Sequence, residues 1–219
     1  MLRAAITFDD GYLEHFRTAT LLRRLGVRAT FFLITGLERW HGKPLLAPRP
    51  SLIRKMHDMG HEIASHTSTH SNLLLADEET IEQELYQSKM CLERVVGSRV
   101  VGFAYPWGGH NDIVKNAVRK YYSYARVDAE TNPPIIRLRT HFADRYAIEA
   151  KALLRRTAPE ILARRMLKAS NDVVIRIHSI PDRSLVTWMA FLKLVNAEFV
   201  PLCELAHAKQ ISTDSRNRR

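Results

Sequence analysis

Short runs of apolar, β-branched and aromatic residues alternate with stretches of helical periodicity along nearly the whole chain, and this alternation limits the fold more than any other feature. Leu2 to Phe8 reads as a buried strand stopped by Asp9-Asp10-Gly11. Tyr12 to Leu25 reads as a helix with Phe16, Leu21, Leu22 and Leu25 as its apolar positions and Gly26 as its end. Val27 to Ile34 is a second strand, and residues 36–50 form a Gly- and Pro-punctuated loop carrying Trp40. Ser51 is expected to cap a helix through Met59, which Gly60 ends. His61 to Ser65 is a third strand, and Asp77 is expected to cap a long helix to about Val96. Val100 to Tyr105 is a strand, Asp112 to Lys120 a helix, and Ser123 to Val127 and Ile135 to Arg139 are strands. Helical segments follow over roughly 146–156 and 159–169. Val173 to His178 is a strand, Leu185 to Asn196 a helix, and Phe199 to Leu202 a last strand.

Strands that alternate with helices imply parallel pairing through right-handed crossovers. Seven or eight such units close most simply into a barrel, and an open doubly wound sheet satisfies the same periodicity. A chain of 219 residues with 46% apolar residues supports one domain, expected over 1–209, with a basic polar tail at 210–219. No apolar run is long enough to span a bilayer, so no membrane partner is expected. No separate apolar signal segment precedes the first strand, which gives the expectation of a cytoplasmic protein. Cys91 and Cys203 read as two reduced thiols rather than a disulfide framework.

The net charge of +10 favours anionic partners by long-range attraction. The basic residues are nevertheless spread along the chain. Dense clusters occur only at Arg155-Arg156, Arg164-Arg165 and the tail 215–219, and no nucleic-acid module accompanies them. A solvated basic surface is the expectation, with no nucleic-acid partner.

Two local patterns carry chemistry. Thr7-Phe8-Asp9-Asp10-Gly11-Tyr12 ends a strand in adjacent carboxylates, and His66-Thr67-Ser68-Thr69-His70 places two imidazoles four residues apart. One carboxylate and two imidazoles make three ligands, the number a hydrolytic metal site uses while keeping a position open for water. The second carboxylate is then spare to accept a proton. Zinc fits this donor set, and cobalt, nickel, manganese or ferrous iron fit nearly as well. Asp9, Asp10, His66, Trp107 and His178 all follow strands, where a parallel barrel collects its chemistry.

These segments resemble the motifs of the polysaccharide deacetylase family, the NodB-like carbohydrate esterases. Thr7 to Tyr12 looks like the first motif and His66 to His70 like the second. Phe103-Ala104-Tyr105-Pro106-Trp107-Gly108 looks like the third, and Ile175-Arg176-Ile177-His178 like the fifth. The likeness runs in order from about residue 3 to about residue 202. It implies a distorted parallel (β/α) barrel of about seven strands and one divalent metal ion held by Asp10, His66 and His70. It implies Asp9 as general base and His178 as the general acid that protonates the leaving amine. Tyr105, Pro106 and Trp107 would form the substrate-binding and oxyanion turn. The activity implied is metal-dependent removal of acetyl groups from N-acetylated sugars or oligosaccharides, a hydrolysis of linear amide bonds other than peptide bonds.

Two positions depart from the family pattern. Ala104 stands where the third motif usually has the arginine that orients the base, and Arg176 stands where the fifth usually has an apolar residue. Strand residues two apart share a face, so Arg176 and His178 point the same way. Arg176 is therefore expected to replace the missing arginine beside Asp9, with Arg137 and Arg139 as second choices. The fourth motif has no clear match, and the region Asp128 to Arg139 is where it would lie. Other readings remain: an amidase of the same superfamily acting on a non-sugar linear or cyclic amide, or a catalytically silent glycan-binding homologue. A ferrous-iron oxygenase also uses two histidines and a carboxylate, but usually on an all-β scaffold. The sequence sets neither the oligomeric state nor the sugar linkage.

Overall fold

The computed structural model describes residues 3–128, 144–152, 172–194 and 196–207. Its strands are β1 (Arg3–Phe8), β2 (Thr30–Leu33), β3 (Arg39–Trp40), β4 (Lys43–Pro44), β5 (Glu62–Ser65), β6 (Gly102–Ala104), β7 (Tyr124–Asp128), β8 (Ile148–Ala152), β9 (Val173–Ile177) and β10 (Glu198–Phe199). The helices are α1 (His15–Arg24), α2 (Pro50–Asp58), α3 (Glu78–Val96), α4 (Asp112–Tyr121) and α5 (Asp182–Leu194).

Seven parallel strands run in the order β1-β2-β5-β6-β7-β8-β9, and β9 pairs back onto β1. The expected distorted (β/α) barrel is therefore the fold. β1 is the seam. Along one side it pairs with β9 over Ala4 to Phe8. On the other side β10 takes Arg3 and Ala4 while β2 takes Thr7 and Phe8.

Side chains alternate across each strand, and the two faces pack as separate cores. Ile6, Phe8, Phe31, Leu33, Phe103 and Ile175 belong to the larger cluster, which also takes in helix residues such as Leu22, Met56 and Leu85. The other face supplies small residues to the interior, Ala5, Ala64, Ala104 and Ala150, packed with Phe32, Tyr124, Ile148 and Val174. Val200, Leu202 and Leu205 complete that inner cluster and close the end where the strands begin. There the Val200 N–H donates to the Ala4 carbonyl and the Leu202 N–H to the Thr30 hydroxyl.

Helix ends follow local chemistry. Asp77 caps α3 as expected, its side chain accepting from the Thr80 N–H, and Gly97 ends the helix with φ of 72°. Ser51 is not the cap of α2. Pro50 opens that helix, where its missing N–H is no loss, and no side chain caps it. The loop 36–50 contains the β3–β4 hairpin, turned through His41 and Gly42 at φ of 45° and 75°. The expectation of helix over 146–156 is wrong, since Ile148–Ala152 is strand β8, paired to both β7 and β9. The expected strand Ile135 to Arg139, the helix over 159–169 and the tail 210–219 lie outside the described residues. No described helix is long and apolar enough to cross a membrane.

Candidate active site

Asp9, Asp10, His66, His70, Trp107, Asp128, Arg176 and His178 all line one cleft of about 420 Å³ at the ends where the barrel strands finish. Tyr12, Trp40, His41 and Tyr105 complete its wall. β1 delivers Asp9 and Asp10, whose turn is completed by Gly11 at φ of 75°. The positive φ favours glycine there, and an added Cβ would also crowd Leu33, 2.9 Å from its Cδ2 and 3.2 Å from its Cα. β5 ends at Ser65 and delivers the His66 to His70 loop.

Asp10, His66 and His70 meet. His66 Nε2 and His70 Nε2 lie 3.6 and 3.5 Å from Asp10 Oδ1, and all three side chains are buried. Two ligands held at about 2.0–2.2 Å on one tetrahedral ion stand about 3.4 Å apart. Asp10 Oδ1 has no hydrogen-bond partner despite its burial. His66 Nδ1 donates to the Ala104 carbonyl at 2.8 Å, which turns Nε2 toward Asp10. Burial, reinforced by His66, lowers the His70 pKa to about 4 against the pull of Asp10 and Asp9, so its ring is neutral and its lone pair available at pH 7. Among the described residues this is the only cluster able to hold a metal ion, and its donors fit the divalent cation expected from the sequence.

The loop that carries the two histidines is held by a residue that no local pattern marks out. Glu84, buried on α3, accepts the Ser68 and Thr69 N–H groups on Oε2 at 2.7 and 2.9 Å. Its Oε1 accepts the Thr69 and Ser71 hydroxyls at 2.5 and 3.3 Å.

Asp9 is paired with Arg126 rather than Arg176, which corrects the expectation from the sequence. Arg126 is fully buried in the barrel on β7, directly in register with Ala104 on β6. The small Ala104 side chain leaves the space that the guanidinium fills, over the Phe32 ring at 5.1 Å. Relative to position 104, where the family pattern usually has its arginine, the cation stands one strand over, on β7. Burial pushes the Asp9 carboxyl upward, but Arg126, with His66, His178 and Arg176 behind it, holds it down at about 2. Arg176 lies farther out, with Nε 2.9 Å from Asp128 Oδ1 and Nη1 2.8 and 3.1 Å from the two ring nitrogens of His178. Arg137 and Arg139 lie outside the described residues.

His178 follows β9, and its carbonyl receives a 2.8 Å contact from His15 Nε2. The residue is exposed at the cleft, while its ring lies against Arg176. Its pKa is lowered by loss of hydration and by Arg176, against the opposing carboxylates Asp9, Asp10 and Asp128. Trp107 is exposed at φ of 60°, and its Nε1 donates to the His70 carbonyl at 3.3 Å. Trp40 and Trp107 flank the His70 ring at centroid distances of 4.6 and 5.0 Å. Tyr105 lines the cleft, but its hydroxyl is committed to the Tyr146 carbonyl at 2.9 Å. Pro106 is buried, opening the 3₁₀ turn Pro106–Gly108 rather than lining the cleft.

The polysaccharide deacetylase family profile matches residues 3–125. A chitooligosaccharide deacetylase of Rhizobium leguminosarum bv. trifolii is 36% identical over 85 residues, which are 38% of this chain and 36% of that protein. One from Azorhizobium caulinodans is 32% identical over 118 residues, 52% of each chain. The matched stretch thus spans about half the length of these curated relatives, or less. The solved structure described as T48 deacetylase with substrate superimposes with a TM-score of 0.68 at 20% identity, covering 94% of this chain and 92% of that one. That likeness is one of fold.

Proposed function

The chain belongs to the polysaccharide deacetylase family, and on that premise we propose that it is a metal-dependent hydrolase removing acetyl groups from N-acetylated sugars or oligosaccharides. The observation that carries this reading is the convergence of Asp10, His66 and His70 around one point, with a buried carboxylate oxygen left unpartnered. Asp10, His66 and His70 would hold one divalent ion, zinc being the first choice. That ion, when bound, acidifies a water and polarises the acetyl carbonyl.

Asp9 accepts the proton of the attacking water. Arg126 keeps it ionised across the working pH range and fixes its direction. His178 delivers a proton to the departing amine as the C–N bond breaks, releasing acetate. The Trp107 backbone N–H is the candidate donor to the developing oxyanion. Trp40, Trp107 and Tyr12 offer aromatic faces to the sugar ring.

The departures at Ala104 and Arg176 are what favour a silent glycan-binding homologue. Arg126, seated on Asp9, supports the active reading instead. We take 1–209 as one catalytic domain. The test is metal content together with acetate release from a panel of N-acetylated oligosaccharides, repeated on Asp9→Asn. The expected result is stoichiometric divalent metal in both proteins and acetate release by the parent alone. A metal-loaded parent that binds the sugars and releases no acetate refutes the reading.

A further inference from the structure

A cavity of about 820 Å³ lies on the outside of the barrel between α2 and α3, and it shares no lining residue with the cleft of about 420 Å³. The reaction at the cleft makes no use of it. Its volume falls within the range of small-molecule sites, roughly 300–1,000 Å³. Ala47, Met90 and Val95, all half-buried, give it an apolar lining, and the exposed Tyr86 stands at its rim. Arg54 and Arg94 face it from the two helices. Arg54 reaches across to the end of α3, where a Cβ on Gly97 would lie 3.2 Å from its Nη1. Among the described residues, no aspartate, glutamate or lysine lines the cavity. The acidic neighbours on these helices are turned to other partners, Glu93 to Lys89 at 2.8 Å and Asp58 to His57 at 3.8 Å. One cation would offset the C-terminal end of the α3 dipole, so two guanidiniums leave positive charge over.

We propose that this cavity is a second binding site, for a small amphiphilic anion: an apolar ring or short chain carrying one carboxylate, sulfonate or phosphate group. Ala47, Met90 and Val95 take the apolar body, Tyr86 covers it from the rim, and Arg54 and Arg94 hold the anion. A guanidinium fork meets two oxygens of such a group at once, which an ammonium does not. A bare inorganic anion would leave the apolar lining wet. A neutral body would leave both guanidiniums without a counter-charge. The concave shape selects a free molecule over a lipid bilayer, whose surface cannot enter a pocket between two helices. The net charge of +10 draws anions toward the protein from a distance. The inference is independent of the deacetylase reading, since the two sites have no residue in common.

The experiment uses the full chain loaded with zinc and two fluorescent probes that differ in one group. These are anilinonaphthalene sulfonate and phenylnaphthylamine, which lacks the sulfonate. The sulfonate should bind at about one per chain, and the neutral probe about tenfold more weakly or worse. Arg54→Gln combined with Arg94→Gln should weaken the sulfonate about tenfold or more and bring it level with the neutral probe. Both arginines are exposed, so the fold and the zinc content of this double variant should stay parental. Met90→Gln should weaken both probes, and Asp10→Asn should leave sulfonate binding unchanged. Equal affinity for the two probes in the parent overturns the proposal, as does a double variant that binds the sulfonate like the parent. Loss of sulfonate binding in Asp10→Asn would place the probe in the cleft and refute a separate site. Phosphatidylglycerol vesicles should not retain the chain. Retention that disappears in the double variant would assign the two arginines to a membrane surface and overturn the small-molecule site.

Discussion

Replacing Glu84 tests whether the loop bearing His66 and His70 is held from behind. Oε2 of this buried carboxylate takes two backbone N–H groups and Oε1 takes two hydroxyls, all within 3.3 Å. Glu84→Gln keeps one oxygen for the Ser68 and Thr69 N–H groups. Its amide can meet the two hydroxyls, which rotate to accept. The loss is then that of one charge on hydrogen bonds worth about 1.5–3 kcal/mol in the charged form against about 1 in the neutral form, so roughly 1–2 kcal/mol. Glu84→Ala leaves both N–H groups without their partner, at about 1–3 kcal/mol each, for a total near 3–5 kcal/mol. The loop also holds Thr67 and His70 at φ of 66° and 62°, a strained state that persists only while its surroundings enforce it. Zinc affinity should therefore fall about 10–100-fold in the alanine variant and much less in the glutamine variant. Urea denaturation of the metal-free proteins gives the first number, and competition against a chelating dye gives the second. An alanine variant that binds zinc like the parent would show that the loop holds its own shape, and the reasoning from Glu84 would be refuted.

Burial lowers the His61 pKa to about 4, against an ordinary value of 6.5, with Nδ1 accepting from the Ala29 N–H and Nε2 donating to the Ala19 carbonyl. The unfolded chain binds the extra proton first, so stability present above pH 6.5 is lost as pH falls toward 4, by at most about 3 kcal/mol. Urea midpoints across that range should fall in the parent and fall less steeply in His61→Gln, the remaining slope coming from the similarly lowered His70. Gly11→Ala places a Cβ against Leu33 at a φ of 75° and should lower stability by about 1–3 kcal/mol, read as a fall in Tm, with weaker zinc binding through the neighbouring Asp10. Trp40→Ala removes one aromatic wall beside His70 and should raise KM for oligosaccharides about tenfold with kcat less affected. Equal loss of kcat and unchanged KM would place Trp40 outside the sugar subsite.

The strand–helix order, the barrel and the grouping of Asp10, His66 and His70 were legible because each rests on short-range pattern. Asp9-Asp10-Gly11 and His66 to His70 carry their donors within single turns. Arg126 was not legible in that way. Tyr124, Arg126 and Asp128 alternate with Ala125 and Val127, so the signal was a charge on the inward face of a strand, but its partner Asp9 lies 117 residues away. Glu84 was hidden among the other glutamates of α3, since nothing local distinguishes a glutamate that faces a loop from one that faces water. β8 was misread because Ile148-Glu149-Ala150-Lys151-Ala152 is rich in helix formers. The period-two alternation of apolar and charged residues was present, and pairing with β7 and β9 overrides the propensity.

Backbone strain gathers where the chemistry is. Among the described residues, the non-glycine positions with positive φ are Asp10, His41, Thr67, His70, Trp107 and Asn196, and all but Asn196 line the cleft or lie between its histidines. A chain leaving a barrel strand points away from the mouth. To turn a side chain back over the axis within one or two residues it must enter the left-handed region, at roughly 1–3 kcal/mol for each residue without a glycine's freedom. The barrel supplies the opposing hold through bonds such as Ile34 N–H to the Asp10 carbonyl at 3.3 Å and His70 N–H to the Thr67 hydroxyl at 2.9 Å. Strain maintained by the scaffold is already present before any ion arrives. The donors of Asp10, His66 and His70 would therefore need little rearrangement to bind one, and affinity at this site would reflect a conformation set by the fold rather than one induced by the ligand.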